Sequence, residues 1–228
     1  MKRKGKLVVL EGTDGSGKST QFQLLCRHLE EVGVQFHRLV FPQYKEPSSA
    51  LVRMYLGGEF GSHPEDVNPY AASTFYAVDR YASMKKVWGR RYQAGGLVLS
   101  DRYTTSNAVH QTGKLPQEEW ESFLRWLADF EYGKLGLPRP DLVLYLDMPT
   151  ERAVELLRSR EQATNSKGDI HEVDVPYLTQ CRQAAHAAAA LWGWRTISCV
   201  TPEGEVRREE DIHQEIWDLV GERLGAFS

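Results

Sequence analysis

Cysteine is scarce in this chain of 228 residues, and the three present, Cys26, Cys181 and Cys199, are odd in number and scattered. With no C-x-x-C spacing they exclude a disulfide framework or a zinc ribbon and read as small core residues of a reducing compartment. No apolar run approaches the roughly 20 residues of a membrane span. The basic stretch Lys2-Arg-Lys-Gly-Lys6 is followed by an apolar segment that stops at Glu11, too short for a secretory leader, so a soluble, cytoplasmic protein is expected. Charge of one sign is missing too: 28 basic against 31 acidic residues leave a net charge of −3, which argues against a nucleic-acid-coating protein. His110 and the other histidines lack metal-ligand spacing, so neither zinc nor iron is expected. There are no internal repeats and no linker, so residues 1–228 are expected to form a single domain.

What is present begins with GTDGSGKST, Gly12 to Thr20. It fits the phosphate-loop pattern G-x-x-x-x-G-K-S/T through Gly12, Gly17, Lys18 and Ser19. The apolar run Lys6–Leu10 before it reads as a buried strand, and Gln21–Leu29 after it has helical apolar spacing. Glycines let successive backbone N–H groups converge on an anion, and the helix adds its positive end. Thr13, Asp14, Gly15, Ser16 and Thr20 complete the loop that would hold ATP. Lys18 can reach the β- and γ-phosphates, and the Ser19 hydroxyl is a natural Mg²⁺ ligand.

Strand-like and helix-like stretches alternate along the chain, the signature of an α/β fold with a parallel sheet covered on both faces. Strands are expected at Phe36–Phe41, Leu97–Ser100, Asp141–Leu146 and Arg195–Val200. Helices are expected over about Ser49–Leu56, from Pro69 to about Gln93, from Pro116 onward, over about Thr150–Arg160, up to Gly193, and at the end of the chain. The helix after Pro116 carries an apolar face of Trp120, Phe123, Leu124, Leu127 and Phe130. Residues 163–168 read as a mobile polar stretch. In such sheets ligands sit beyond the C-terminal strand ends, which here deliver Glu11–Asp14, Phe41–Tyr44, Asp101–Tyr103, Asp147 and Thr201–Gly204 to one rim.

Asp101 and Arg102 project into the phosphate region, either as a magnesium-water ligand and a phosphate fork or as a structural ion pair. Asp147 is a rival magnesium partner. Asp14, a carboxylate close to phosphates, suits a magnesium ion or a sugar hydroxyl. Tyr76 and Arg80 share a helix face, where they could stack on a base and bond its edge or simply belong to the core. Arg158, Arg160 and Lys167, with Asp169, His171 and Glu172 beyond, could act from a closing flap or form a solvated loop.

Assembled, LVVLEGTDGSGKST, FPQY, FYAVDR, SDRYTTSNAVHQ and YLDMPTERAVELLRSR resemble the thymidylate kinase family across essentially the whole chain. The resemblance implies a P-loop NTPase, adenylate-kinase-like three-layer fold with strand order 2-3-1-4-5 and a lid over about residues 158–172. It implies transfer of the ATP γ-phosphoryl group to dTMP with Mg²⁺, for dTTP and DNA precursor synthesis, in a homodimer. Position by position, Asp14 would lie near the acceptor sugar and magnesium, Tyr76 would stack on thymine, Arg80 would bond the base edge, and Asn107 would lie beside it. Phe41, Tyr44 and Gln111 would join the acceptor site. Arg102 would contact phosphates of both substrates, Arg158 would stack on adenine, and Arg160 would act from the lid.

Three positions depart from the family pattern. Gln43 stands where many relatives have arginine, with Arg53 as the compensating cation. His110 stands where many have a tyrosine beside the sugar. Residues 167–172 lack an Asp-Arg pair. Gly15, moreover, stands where some members carry a catalytic arginine, so the lid cations, Arg160 foremost, are expected to supply that charge. No general base is evident, and none is needed by a phosphate acceptor whose second pKa is about 6. A deoxynucleoside kinase, which needs one after the second strand, finds only Glu46 nearby. A GTP switch would need an Asn-Lys-x-Asp segment, which is missing. A regulatory ATPase without acceptor is the remaining alternative.

Overall fold

The computed structural model describes residues 5–61, 63–164 and 175–225, with residue 64 and residues 160–164 described for the backbone only. Five strands, β1 (Lys6–Glu11), β2 (Phe36–Val40), β3 (Leu97–Asp101), β4 (Leu142–Asp147) and β5 (Arg195–Ser198), form one sheet in the order β2-β3-β1-β4-β5. Every neighbouring pair is parallel, with Leu10 opposite Asp101 across β1 and β3. All C-terminal ends therefore share one edge, as the expected rim requires.

Alternation along β1 sets the two cores. Leu7 and Val9 face one layer, with Tyr103, Phe123, Leu127, Tyr145 and Cys181. Val8 and Leu10 face the other, with Phe22, Leu25, Leu29, Leu99, Ile197 and Ile216. Both faces of each central strand are thus buried, which is why these strands read as unbroken apolar runs. The second layer is built from α1 (Lys18–Glu31) and α9 (Glu209–Leu224). The first is built largely from α5 (Thr104–His110), α6 (Trp120–Ala128) and α8 (Val175–Trp192). The remaining helices are α2 (Ala50–Leu56), α3 (Pro69–Ser83), α4 (Gly89–Gln93) and α7 (Thr150–Thr164). Among the described residues no helix is long and apolar enough to cross a membrane.

Several expected boundaries move. The first helix begins at Lys18, inside the glycine motif, three residues before the apolar spacing that starts at Gln21. The helix opened by Pro69, with Asn68 capping the Ala71 N–H at 2.9 Å, is broken by a π turn over Met84–Trp88. Gly89 permits that turn, since a Cβ there would lie 2.5 Å from the Met84 carbonyl oxygen. A second π turn, Asp129–Lys134, follows α6. It changes the expected apolar face: Phe130 stacks on Trp126 at 5.2 Å, and the fully buried position is taken by Glu131. Helix α5 is an addition to the expected elements, and α7 extends to Thr164.

Candidate active site

Gly12 to Thr20 forms the turn between β1 and α1, with Gly15 and Gly17 at φ 81° and 79°. Gly17 caps α1 in the left-handed region, which points the first helical N–H groups into the loop. The Ser16 hydroxyl is buried without a protein partner, as a group awaiting an anion would be. A Cβ on Gly15 would sit 2.4 Å from the Ala153 carbonyl oxygen. A side chain at this position therefore requires the loop or α7 to shift.

Lys18 is buried and paired with Asp101 through Nζ and Oδ1. Burial, followed by the nearby Arg102 cation, lowers its pKa, and the Asp101 and Glu11 carboxylates oppose the shift. Arg102, at φ 67°, is the one non-glycine residue with positive φ among those described. Its Nη2 bonds Asp14 Oδ1 at 2.5 Å, and its Nη1 lies 3.0 Å from His110 Nε2 and 3.8 Å from Glu11 Oε1. Burial alone would lower the Arg102 pKa, but Asp14, Glu11 and Asp101 raise it above its ordinary value, so the guanidinium stays charged. Because Arg102 is a donor only, His110 accepts at Nε2 and carries its proton on Nδ1, 3.7 Å from Cys181 Sγ.

Beyond the β1 and β3 ends lies a cavity of about 210 Å³. Asp14, Arg102 and His110 line it together with Phe41, Tyr44, Tyr76, Arg80, Asn107 and Gln111. Arg80 is almost wholly buried and makes a bidentate pair with Glu131, Nε to Oε2 at 2.7 Å and Nη2 to Oε1 at 2.6 Å. Burial lowers the Arg80 pKa, but Glu131 outweighs it and the net shift is upward. Asn107 donates both amide hydrogens, to Glu131 Oε1 at 2.9 Å and to the Ser73 carbonyl at 3.1 Å. Gln111 Oε1 is a buried acceptor with no protein donor.

Other positions fall elsewhere. Arg53 does not line the cavity; its Nη1 bonds the Tyr44 and Glu46 carbonyls and Ser49 Oγ at 2.8, 3.2 and 2.6 Å, holding the FPQY loop. Asp147 is gripped by Arg182 at 2.7 and 3.0 Å and by His186 at 3.0 Å. Burial pushes its pKa up, and the Arg182 and His186 hydrogen bonds bring it below the ordinary value. Those partners occupy both oxygens, so the rival magnesium role gives way to an ion pair. Arg158 is exposed on α7, while the Arg160 side chain and Lys167, Asp169, His171 and Glu172 lie outside the described residues.

Sequence reasoning gave no role to three buried acids. Glu11 takes Thr105 Oγ1 and Ser106 Oγ at 2.6 and 2.7 Å and the Gly12 N–H at 3.0 Å. Asp79 holds the Gln43 N–H at 2.8 Å and Ser48 Oγ at 2.6 Å, fixing the FPQY turn. Glu131 carries the Arg80 and Asn107 network. Its signal was in the sequence: it falls four residues after Leu127, in line with the apolar stripe of α6, where a carboxylate is out of place.

For Mg²⁺, Ser19 is exposed at the start of α1, and Asp101 keeps Oδ2 beyond its Lys18 contact. One hydroxyl and one carboxylate oxygen fit a cation that keeps most of its waters and takes its other ligands from phosphates. The parallel sheet, the glycine loop at the first strand end and an acceptor cavity beside it define a P-loop phosphotransferase. A family model described as thymidylate kinase matches residues 10–212, and the chain belongs to that family. A thymidylate kinase of Mycobacterium tuberculosis is 32% identical over 192 residues, 82% of this chain and 87% of that protein. A probable thymidylate kinase of Pyrococcus abyssi is 27% identical over 97% of this chain and 98% of its own length. The solved structure of thymidylate kinase from Candida albicans matches with TM-score 0.70 at 19% identity, covering 97% of this chain and 93% of that one.

Proposed function

We propose that the protein transfers the γ-phosphoryl group of ATP to dTMP, giving dTDP and ADP. The carrying observation is the cavity beside the phosphate loop, with Arg102 and Asp14 on its wall together with Tyr76, Arg80 and Asn107. A phosphate monoester on a planar base matches that division. Asn107, with both hydrogens committed, offers Oδ1 to a base N–H. Arg80 has five N–H groups, three of them used, which leaves donors for a base carbonyl. Thymine presents N3–H beside O4; cytosine presents the reverse pattern.

The acceptor phosphate needs no base, being mostly ionised at pH 7. Catalysis is alignment plus charge stabilisation. Lys18 and Arg102 each rest on a carboxylate, and arriving phosphates would take over those donors. Mg²⁺, which Ser19 and Asp101 would hold, would neutralise charge on the donor phosphates. Asp14, which would lie near the acceptor sugar, is the other candidate for that ion. Arg158 would stack on adenine and Arg160 would act from the lid over residues 158–172. The deoxynucleoside-kinase reading is not favoured: Glu46 sits at the surface, 3.3 Å from Lys86.

A homodimer is supported by the exposed apolar side chains Tyr70, Val78 and Tyr81 on one face of α3. A reducing, cytoplasmic setting is supported by three free buried cysteines, whose pKa values burial raises to about 11 or 12. The test is ADP release with ATP, magnesium and a panel of nucleoside monophosphates plus thymidine. dTMP is expected to be the strongest acceptor. Turnover of thymidine but not dTMP, or ATP hydrolysis indifferent to any acceptor, would overturn the proposal.

A further inference from the structure

Glu131 is fully buried, yet no step of phosphoryl transfer uses it. Both its oxygens are saturated. Oε1 accepts from Arg80 Nη2 at 2.6 Å and Asn107 Nδ2 at 2.9 Å. Oε2 accepts from Arg80 Nε at 2.7 Å and Thr104 Oγ1 at 2.8 Å. One carboxylate therefore joins α3, α5 and the π turn after α6 at the base end of the cavity. The π turn itself is the kind of irregularity that re-aims side chains at functional sites.

The consequence lies in the polarity of Asn107. An amide can rotate by half a turn at little cost in shape, exchanging its acceptor for its donors. Here the rotated form would set Oδ1 against Glu131 Oε1 and the Ser73 carbonyl, acceptor against acceptor, at a residue only 1% exposed. A buried pair of that kind is forbidden by the cost of leaving polar groups unsatisfied. The carboxylate, which has no donor of its own, and the Ser73 carbonyl together lock Asn107 with its carbonyl toward the base. The same carboxylate fixes the Arg80 fork, so donor and acceptor are presented in a set order.

We propose that Glu131 is the specificity-determining positioning residue of the acceptor site, holding Asn107 and Arg80 in the arrangement that accepts a keto pyrimidine and rejects an amino pyrimidine. The inference rests on the dTMP kinase reading and adds the device that selects the base. Glu131 does not touch the substrate; it acts through the two residues that do.

Glu131→Gln is isosteric and removes the larger, charged half of the lock, leaving only the Ser73 carbonyl to oppose rotation of Asn107. An amide at 131 brings one NH₂ group, which can donate to a rotated Asn107, and it loses the charge that grips Arg80. The experiment measures kcat and KM for dTMP and dCMP in wild type and variant, with thermal unfolding as the check on folding. The dTMP-to-dCMP ratio of kcat/KM is expected to fall about 10-fold or more. The loss for dTMP should appear mainly in KM, because the base end is remote from the transferring phosphoryl group. A folded variant with an unchanged ratio overturns the proposal. If Glu131→Gln does not fold, Glu131→Asp, which keeps the charge but draws the carboxylate one methylene back from Asn107 and Arg80, is read in the same way: a ratio lowered about 3-fold supports the lock, and an unchanged ratio overturns it. Wild type is assayed first. Failure of wild type to use dTMP would overturn the activity itself, whereas normal wild-type turnover with an unmoved ratio in the variant strikes Glu131 alone.

Discussion

Replacing Gly15 by alanine tests whether this phosphate loop can carry a side chain at all. Two costs add. The residue sits at φ 81°, in the left-handed region where an L side chain costs about 1 kcal/mol. The new Cβ would also lie 2.4 Å from the Ala153 carbonyl oxygen, 2.9 Å from its carbon and 3.0 Å from its Cα. These are backbone atoms of α7 that cannot rotate away, so the loop or the helix must retreat by about 0.6 Å to reach even the tightest contact real Cβ atoms show. Forced shifts of that kind in packed structure cost about 1–3 kcal/mol. The expected loss is about 2–4 kcal/mol, or about 5–12 °C in Tm for a chain of this size.

Gly17→Ala is the matched control. Its φ is 79°, in the same loop, but nothing lies within 4 Å of its Cβ position, so only the conformational cost of about 1 kcal/mol applies. Urea denaturation and thermal unfolding of the nucleotide-free variants read the difference. A Gly15→Ala variant no less stable than Gly17→Ala would refute the steric role of Ala153. The same contact means that Gly15→Arg would not raise kcat, although it restores the residue some relatives carry there.

Asp147→Asn separates an ion pair from a magnesium role. With its side chain 12% exposed and held by Arg182 and His186, the variant should lose about 2 kcal/mol of stability while kcat and its magnesium dependence stay within about 2-fold of wild type; a large fall in kcat would reinstate the metal role. The folded pKa of Asp147 lies below its ordinary 3.8, so its stabilisation is full above that value and is lost as pH falls through the folded pKa. The gap between wild type and Asp147→Asn should therefore close in acid, below about pH 4, and a gap that persists there would contradict the pairing. For the missing loop cation, Arg158→Ala, Arg160→Ala and Lys167→Ala are assayed singly, and one of them should lower kcat about 10³-fold; three near-normal variants would remove the lid from the mechanism.

Much of the architecture was legible because its causes are local. Leu7 to Leu10 form an unbroken apolar strand since both faces of β1 are covered, and Gly15 and Gly17 mark the loop because only glycine suits the backbone there. Strand order came through resemblance, not periodicity, and the sheet has that order. Helix α5 was missed for a physical reason. Thr104, Thr105, Asn107, Ala108 and Val109 are all buried, so TTSNAVH shows neither an amphipathic period nor strong helix formers; tertiary packing makes it a helix. The π turns escaped because each is too short, five and six residues, to set up a period of its own against the 3.6-residue pattern.

The acceptor site shows the same division between what a sequence displays and what it conceals. Its cations, Lys18, Arg80 and Arg102, were found because they fall in recognisable runs. Of the acids that hold them, Asp101 and Asp14 are motif neighbours, whereas Glu131 lies 51 positions from Arg80 and Glu11 meets Thr105 across 94. Their difference in setting is also a difference in role. Asp14 is partly exposed beside the phosphate loop and Asp101 faces it, so incoming phosphate oxygens can take over each cation, freeing the carboxylates toward magnesium. Glu131 is wholly enclosed and bonded by four donors, and removing it would leave Arg80 as an unpaired buried cation, a cost of several kcal/mol that no neutral base could offset. The exchangeable pairs therefore belong to the phosphates, which come and go in each turnover, and the fixed pair belongs to the base, whose recognition must be the same in every cycle.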